Sequence, residues 1–205
     1  MELNKIIEGR RSVNDFEPNG EISKQDIETI IEKATLSPSS YNLQHWHFLV
    51  VHDPDRKKVL KEVAYGQQKV EDAAAAIVVL GNLQAHERAK SIADDLSEKG
   101  YLPEEYKENV INQIQGLYGN NETMQRDEAI RGASLAAMTL MYVAQDMGYG
   151  TCPMIGFDPE GVRKEFNLPA HLIPAMMITI GPAKEENNPR KSRLSVNEVT
   201  TFNGF

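Results

Sequence analysis

A single domain of mixed helix and strand is what this sequence predicts, and three observations carry that expectation. The chain has 205 residues, of which 40% are hydrophobic and 25% charged. That is long enough to bury most of the surface exposed by the unfolded chain, with the composition of an ordinary globular domain. Apolar residues recur at helical spacing in several stretches, and between these lie short runs rich in branched and aromatic residues. No internal repeat or low-complexity segment divides the chain, and no apolar run approaches membrane-spanning length. Residues 1–205 are therefore expected to fold as one unit.

Leu3, Ile6 and Ile7 mark one face of a first helix that ends near Gly9, just before the basic pair Arg10 and Arg11. Ser23 suits the N-cap of a second helix, striped by Ile27, Ile30, Ile31 and Ala34 and stopped by Pro38. Residues 46–52 read as a strand, with Trp46 and Phe48 as strand core. Asp53, Pro54 and Asp55 then start a helix that runs to about Tyr65, before Gly66. Residues 74–80, wholly apolar and closed by Gly81, read as a buried central strand.

From 82 to 121 the chain turns acidic and amphipathic, with helices expected around 86–99 and 103–118; this excursion is the candidate lid. A long helix is expected over 124–147, where Ala129, Gly132, Ala133 and Ala137 suit close approach to both its own sheet and another subunit. Residues 151–155 read as a short strand, Asp158 caps a helix ending near Asn167, and 174–180 form another buried strand ending at Gly181. The tail, 182–205, has little to bury by itself and carries Lys191, Arg193 and terminal aromatics. It reads as an arm, either unpacked or laid across a partner.

Composition excludes several classes of function. A net charge of −8 repels nucleic acid and anionic membranes at long range, so an anionic ligand needs a local cluster of cations. The single cysteine, Cys152, excludes an internal disulfide and a cysteine-cluster zinc site, and reads as a small buried residue. The N-terminal stretch MELNKIIEGRR lacks the apolar core and cleavage site of a signal peptide, so a cytoplasmic location is expected. Neither G-x-G-x-x-G nor G-x-x-x-x-G-K-[ST] occurs, which argues against a Rossmann dehydrogenase or a nucleotide hydrolase. His45 and His47 have no third ligand near them in sequence, so no metal is expected. Ser39 or Ser40 with His45 lacks the strand-turn-helix elbow of a hydrolase.

Two features point instead to a bound small molecule. The stretch PSSYNLQHWHF, 38–48, places Pro38, Ser39, Ser40, Asn42, Gln44 and His45 between a helix and a strand. Irregular backbone held between rigid elements leaves amides free for a ligand, so this reads as a recognition loop for a flat, polar-edged, aromatic-sized molecule. Arg10, Arg11 and Ser12 near one end of the chain, and Lys191 to Arg193 near the other, suit a phosphate dianion if the fold brings them together.

The motifs RRSVNDF, PSSYNLQHWHF, GQQKVEDA, CPMIGFD and the late KSR occur in an order, from Arg10 to Arg193, that resembles the bacterial nitroreductase family of flavin enzymes. The resemblance implies an α+β fold, a central and mostly antiparallel sheet flanked by helices, in a domain-swapped homodimer with FMN at each of two subunit interfaces. It implies that Arg10, Arg11, Ser12, Lys191 and Arg193 grip the phosphate and ribityl chain, with Asn14 beside them. Pro38, Ser39, Ser40, Asn42 and Gln44 of the other subunit then line the ring. Gln67 and Lys69, with the turn Pro153, Met154, Ile155 and Gly156, bracket the ring's polar edge and its N5 atom.

The chemistry implied is hydride transfer from NADPH or NADH to flavin N5, and from there to a nitroaromatic or quinone, with the two flat substrates using one site in turn by a ping-pong mechanism. Flavin-dependent dehalogenation, flavin reduction and a non-enzymatic FMN carrier or sensor are the alternatives on the same scaffold. Three positions depart from the family's usual pattern. Asn14 stands where a lysine or arginine is common, shifting charge stabilisation to Lys69 or backbone amides. Ile155 stands where some members have an acid, and His45 where proline is common, which implies a less rigid loop.

Overall fold

The computed structural model describes residues 2–204, so Phe205, one of the tail aromatics, lies outside the described residues. A four-stranded antiparallel sheet runs through the middle in the order β1 (Trp46–Val51), β2 (Ala75–Asn82), β4 (Leu172–Gly181), β3 (Gly150–Met154). The pleat sends alternate β2 residues to opposite faces. Ile77 and Val79 join a core with Ile27 and Ile30 of α2 (Lys24–Ala34) and with Ala133, Ala137 and Leu140 of α7 (Glu122–Asp146). Ala76, Val78 and Leu80 face the other way, onto Leu60 of α3 (Pro54–Val63) and Val162 of α8 (Pro159–Glu165). Burial on both faces explains why β2 carries no polar residue before Asn82.

Helix starts follow the sequence closely. The Ser23 hydroxyl accepts from Asp26 N at 2.9 Å, and the Asp53 carboxylate accepts from Arg56 N at 2.9 Å with Pro54 in the first turn. The long helix begins at Glu122 rather than Met124, because the Asn121 side chain caps it by accepting from Met124 N at 3.1 Å.

Gly81 does not close β2 but lies inside it. A Cβ there would sit 2.8 Å from the Ala129 carbonyl oxygen, so the glycine is what lets α7 lie against the sheet. Strand β4 starts at Leu172, earlier than its apolar pattern, and tolerates Pro174 through a register shift opposite Val79 and Leu80.

The excursion opens with a 3₁₀ turn at Ala85–Arg88 and continues through α5 (Ala89–Glu98) and α6 (Lys107–Tyr118). It has its own small core, in which Ala85, Ala89, Ile92, Ile114 and Tyr118 surround Leu43 of the 38–44 loop. The first helix, α1 (Leu3–Gly9), ends where expected, and a four-residue helix, α4 (Lys69–Asp72), is too short to show a period. The tail carries one short helix, α9 (Val196–Val199), closed by a capping box between Ser195 and Glu198, and exposes Leu194, Val196, Val199 and Phe202. No described helix is long and apolar enough to cross a membrane.

Candidate functional site

The two basic segments meet. After α1 the chain runs along the outer edge of β3, where Ser12 bridges to Thr151 and Val13 N donates to Thr151 O at 3.0 Å. The tail returns to the same place. Asn187 Oδ1 accepts from Asn14 N at 3.0 Å and Asp15 N at 3.2 Å, and its Nδ2 donates to Asp15 O at 2.9 Å. Arg190 donates to the carbonyls of Ile7, Glu8 and Arg10 at the C-terminal end of α1, where a cation is favoured by the helix dipole.

Between the segments lies a pocket of about 280 Å³, lined by Arg10, Arg11, Ser12, Asn14, Asn188, Pro189, Arg190, Lys191 and Arg193. No carboxylate lines it. Burial, and then the nearby Arg190 and Arg193, hold the Arg10 guanidinium below its ordinary pKa. Arg10 Nη1 and Arg11 Nε are buried without a hydrogen-bond partner. Buried charged donors left unmade are costly, and a phosphate dianion would supply both the missing acceptors and the missing charge.

From this pocket a row of polar groups runs along the β3 edge. Lys69 Nζ, at the start of α4, donates to Asn14 Oδ1 at 3.0 Å and lies 3.5 Å from Cys152 Sγ. The departure at Asn14 thus positions a lysine instead of supplying a charge. Gln67 Nε2 donates to Gly156 O at 2.6 Å, tying the turn before α4 to the turn after β3. In that second turn Ile155 is 84% exposed, whereas the Met154 side chain is buried in the core and reaches the row only through its backbone. Cys152 is a buried thiol of the same core, as its surroundings in sequence suggested.

The recognition loop is elsewhere. It precedes Trp46, at the end of β1 that pairs with Gly81, while Ser12 adjoins Thr151 near the opposite end of the sheet on the far strand. Trp46 and Thr151 mark corners about 14 Å apart across the strands and about 20 Å apart along them. Pro38, Ser39, Ser40, Asn42 and Gln44 therefore do not join the basic pocket of their own chain.

The loop itself is tightly bound. Tyr41, Asn42 and Gln44 have φ of 50°, 56° and 50°, the left-handed region. Ser39 Oγ accepts from Gln44 N at 2.9 Å, Tyr118 Oη and Ser40 Oγ are 2.9 Å apart, and Arg88 Nη1 donates to Leu43 O and Gln44 O at 3.1 and 2.8 Å. His45, next in the chain, is packed away: it is 2% exposed, behind Gly132, where a Cβ would come 3.1 Å from His45 Cβ. Sequence reading missed Arg88, Tyr118, Asn187 and Arg190, because each acts on backbone or on a loop far away in the chain.

An open antiparallel sheet between helical layers, with a basic, acid-free pocket on one edge, is an α+β framework suited to an anionic small molecule. Residues 7–182 match the model of the Nitroreductase family, and the chain belongs to that family. YodC of Bacillus subtilis (strain 168), which carries an NAD(P)H nitroreductase name, is 37% identical over 96% of this chain and 96% of its own. MhqN of the same organism, similarly named, is 39% identical over 98% of each chain. A crystal structure from Exiguobacterium sibiricum 255-15, described as a nitroreductase in complex with FMN, superposes with a TM-score of 0.91 at 33% identity, covering 98% of this chain and 97% of that one.

Proposed function

We propose that the protein is an FMN-dependent NAD(P)H oxidoreductase that reduces small quinone or nitroaromatic acceptors. The observation that carries this reading is the acid-free pocket in which Arg10 Nη1 and Arg11 Nε have no acceptor. The FMN phosphate fits that deficit, held by Arg10, Arg11, Ser12, Lys191 and Arg193. When bound, the flavin supplies the hydride-accepting and hydride-donating centre that no side chain here provides. Lys69 is kept on the same edge by Asn14, where its charge stabilises negative charge developing on the ring system. Gln67 and the 153–156 turn border the next part of the row, and the exposed Ile155 gives that border an apolar surface for a flat substrate.

The separation of the loop from the basic pocket supports a site shared between two copies, with Pro38, Ser39, Ser40, Asn42 and Gln44 supplied by the partner. The exposed apolar residues of the tail suit an arm crossing that dimer interface. One exposed stacking place serves nicotinamide and acceptor in turn, hence ping-pong kinetics, and tolerates varied acceptors. Dependence on NAD(P)H suits a cytoplasmic location and a role in disposing of electrophilic quinones.

The test is spectroscopic. Purified protein reconstituted with FMN should show flavin absorption that bleaches with NADPH or NADH under anaerobic conditions and returns on adding a quinone. Bleaching by neither nicotinamide leaves a flavin carrier, and failure to take up FMN at all ends the reading.

A further inference from the structure

We propose that Arg88, in the helical excursion, is a positioning residue that holds loop 38–44 in the conformation with which it meets the flavin ring. The inference rests on the reading that this loop lines the ring. It begins from a conflict within the loop. Three side-chain-bearing residues among four consecutive positions, 41 to 44, adopt the left-handed region, which costs free energy wherever a Cβ is present. Such a shape persists only where surrounding contacts outweigh that cost.

The Ser39 contact to Gln44 N is internal and would travel with the loop in any movement. The ties that fix it to the rest of the molecule come from the excursion. Tyr118 of α6 meets Ser40, and Arg88 places one nitrogen between the carbonyls of Leu43 and Gln44. The carbonyl that follows, His45 O, is already taken by Asn82 N at 2.6 Å. Arg88 thus completes the backbone bonding of the loop at the point where regular strand pairing begins.

Several features separate this from an ordinary surface arginine. Its hydrogen bonds go to main-chain carbonyls and not to a carboxylate. The turn that carries it is seated by buried Ala85 and Ala89, which pack with Leu43 itself, so clamp and loop share one small core. The rings of His45 and His86 also flank Tyr118, at centroid distances of 6.1 and 6.3 Å. On this geometry the excursion and the loop share hydrogen bonds and one small core, and the excursion serves as a clamp on the loop.

The experiment compares Arg88→Met and Arg88→Lys with wild type and with Arg193→Ala, measuring FMN affinity by fluorescence quenching, visible circular dichroism of the bound flavin, and the urea midpoint of the apoprotein. Arg88→Met is expected to weaken FMN binding about tenfold and to alter the flavin dichroism, while Arg88→Lys, which keeps a donor, recovers part of both. Lower stability with FMN affinity and dichroism unchanged overturns the clamp, because that is all a merely structural arginine would do. If Arg193→Ala weakens binding and Arg88→Met does not, the clamp alone fails. If wild type binds no FMN, the site reading and the clamp fall together. Should Arg88→Met not fold, Arg88→Gln decides, because its shorter neutral side chain cannot reproduce both contacts: wild-type affinity with wild-type dichroism overturns the proposal, and a weakened affinity with altered dichroism supports it.

Discussion

At Arg193 the sequence placed a charge in the tail, and the fold carries it to Arg10, on the far side of the chain's length. Removing it with Arg193→Ala should weaken FMN binding by about tenfold to a hundredfold, the range for a charge-assisted hydrogen bond, as read by flavin fluorescence titration. His45 makes a second residue-scale prediction. Burial, then Arg88 and His86, push its pKa from 6.5 down to about 4. The folded state therefore holds this proton less readily than the unfolded chain. Stability contributed by the neutral ring is complete above pH 6.5, is lost as pH falls toward 4, and amounts to about 3 kcal/mol in all. Urea midpoints measured across that window should fall for wild type and stay flatter for His45→Leu. Asp26, whose pKa is lowered by its hydrogen bonds from Tyr149 and Ser23, contributes its own loss only below the ordinary carboxylate range.

Elements with a strong period or a clear cap were legible before the structure: α1, α2, α3, β1 and the buried β2 all stand where their apolar pattern put them. What failed to show were features whose cause lies across the fold. Four residues give α4 no period, and Gly81 looks like punctuation at the end of an apolar run although its purpose is the approach of α7. Gly81→Ala should consequently cost about 1–3 kcal/mol in urea unfolding, since the new methyl meets backbone atoms that cannot rotate aside. The basic half of the candidate site was readable because Arg10, Arg11, Ser12, Lys191 and Arg193 are chemically conspicuous. Arg190 was not, because its acceptors are helix-end carbonyls that every sequence possesses. The loop's polar residues were visible too, but not its three left-handed residues, which depend on contacts from Arg88 and Tyr118 more than forty positions away.

For the whole molecule, the corner-to-corner separation of loop and basic pocket turns oligomeric state into a question about the site. Two variants answer it: Arg193→Ala, defective in the pocket, and Asn42→Val, whose branched side chain is excluded from left-handed backbone. Mixed dimers of the two would carry both defects in one shared site and neither in the other. Random pairing of equal amounts should then restore full-affinity FMN binding to about a quarter of all sites. If each site lay within one chain, every site would keep a defect and none would recover. The knot of Asn187 and Arg190 against residues 7–15 also has a consequence for biosynthesis. The pocket is closed by residues 10–14 and 188–193 together, so a polypeptide still emerging from the ribosome lacks part of its lining until residue 193 is out. On the reading that this pocket takes the FMN phosphate, a chain cut before residue 190 keeps all four strands but loses Arg190, Lys191 and Arg193, and it should be purified without flavin colour.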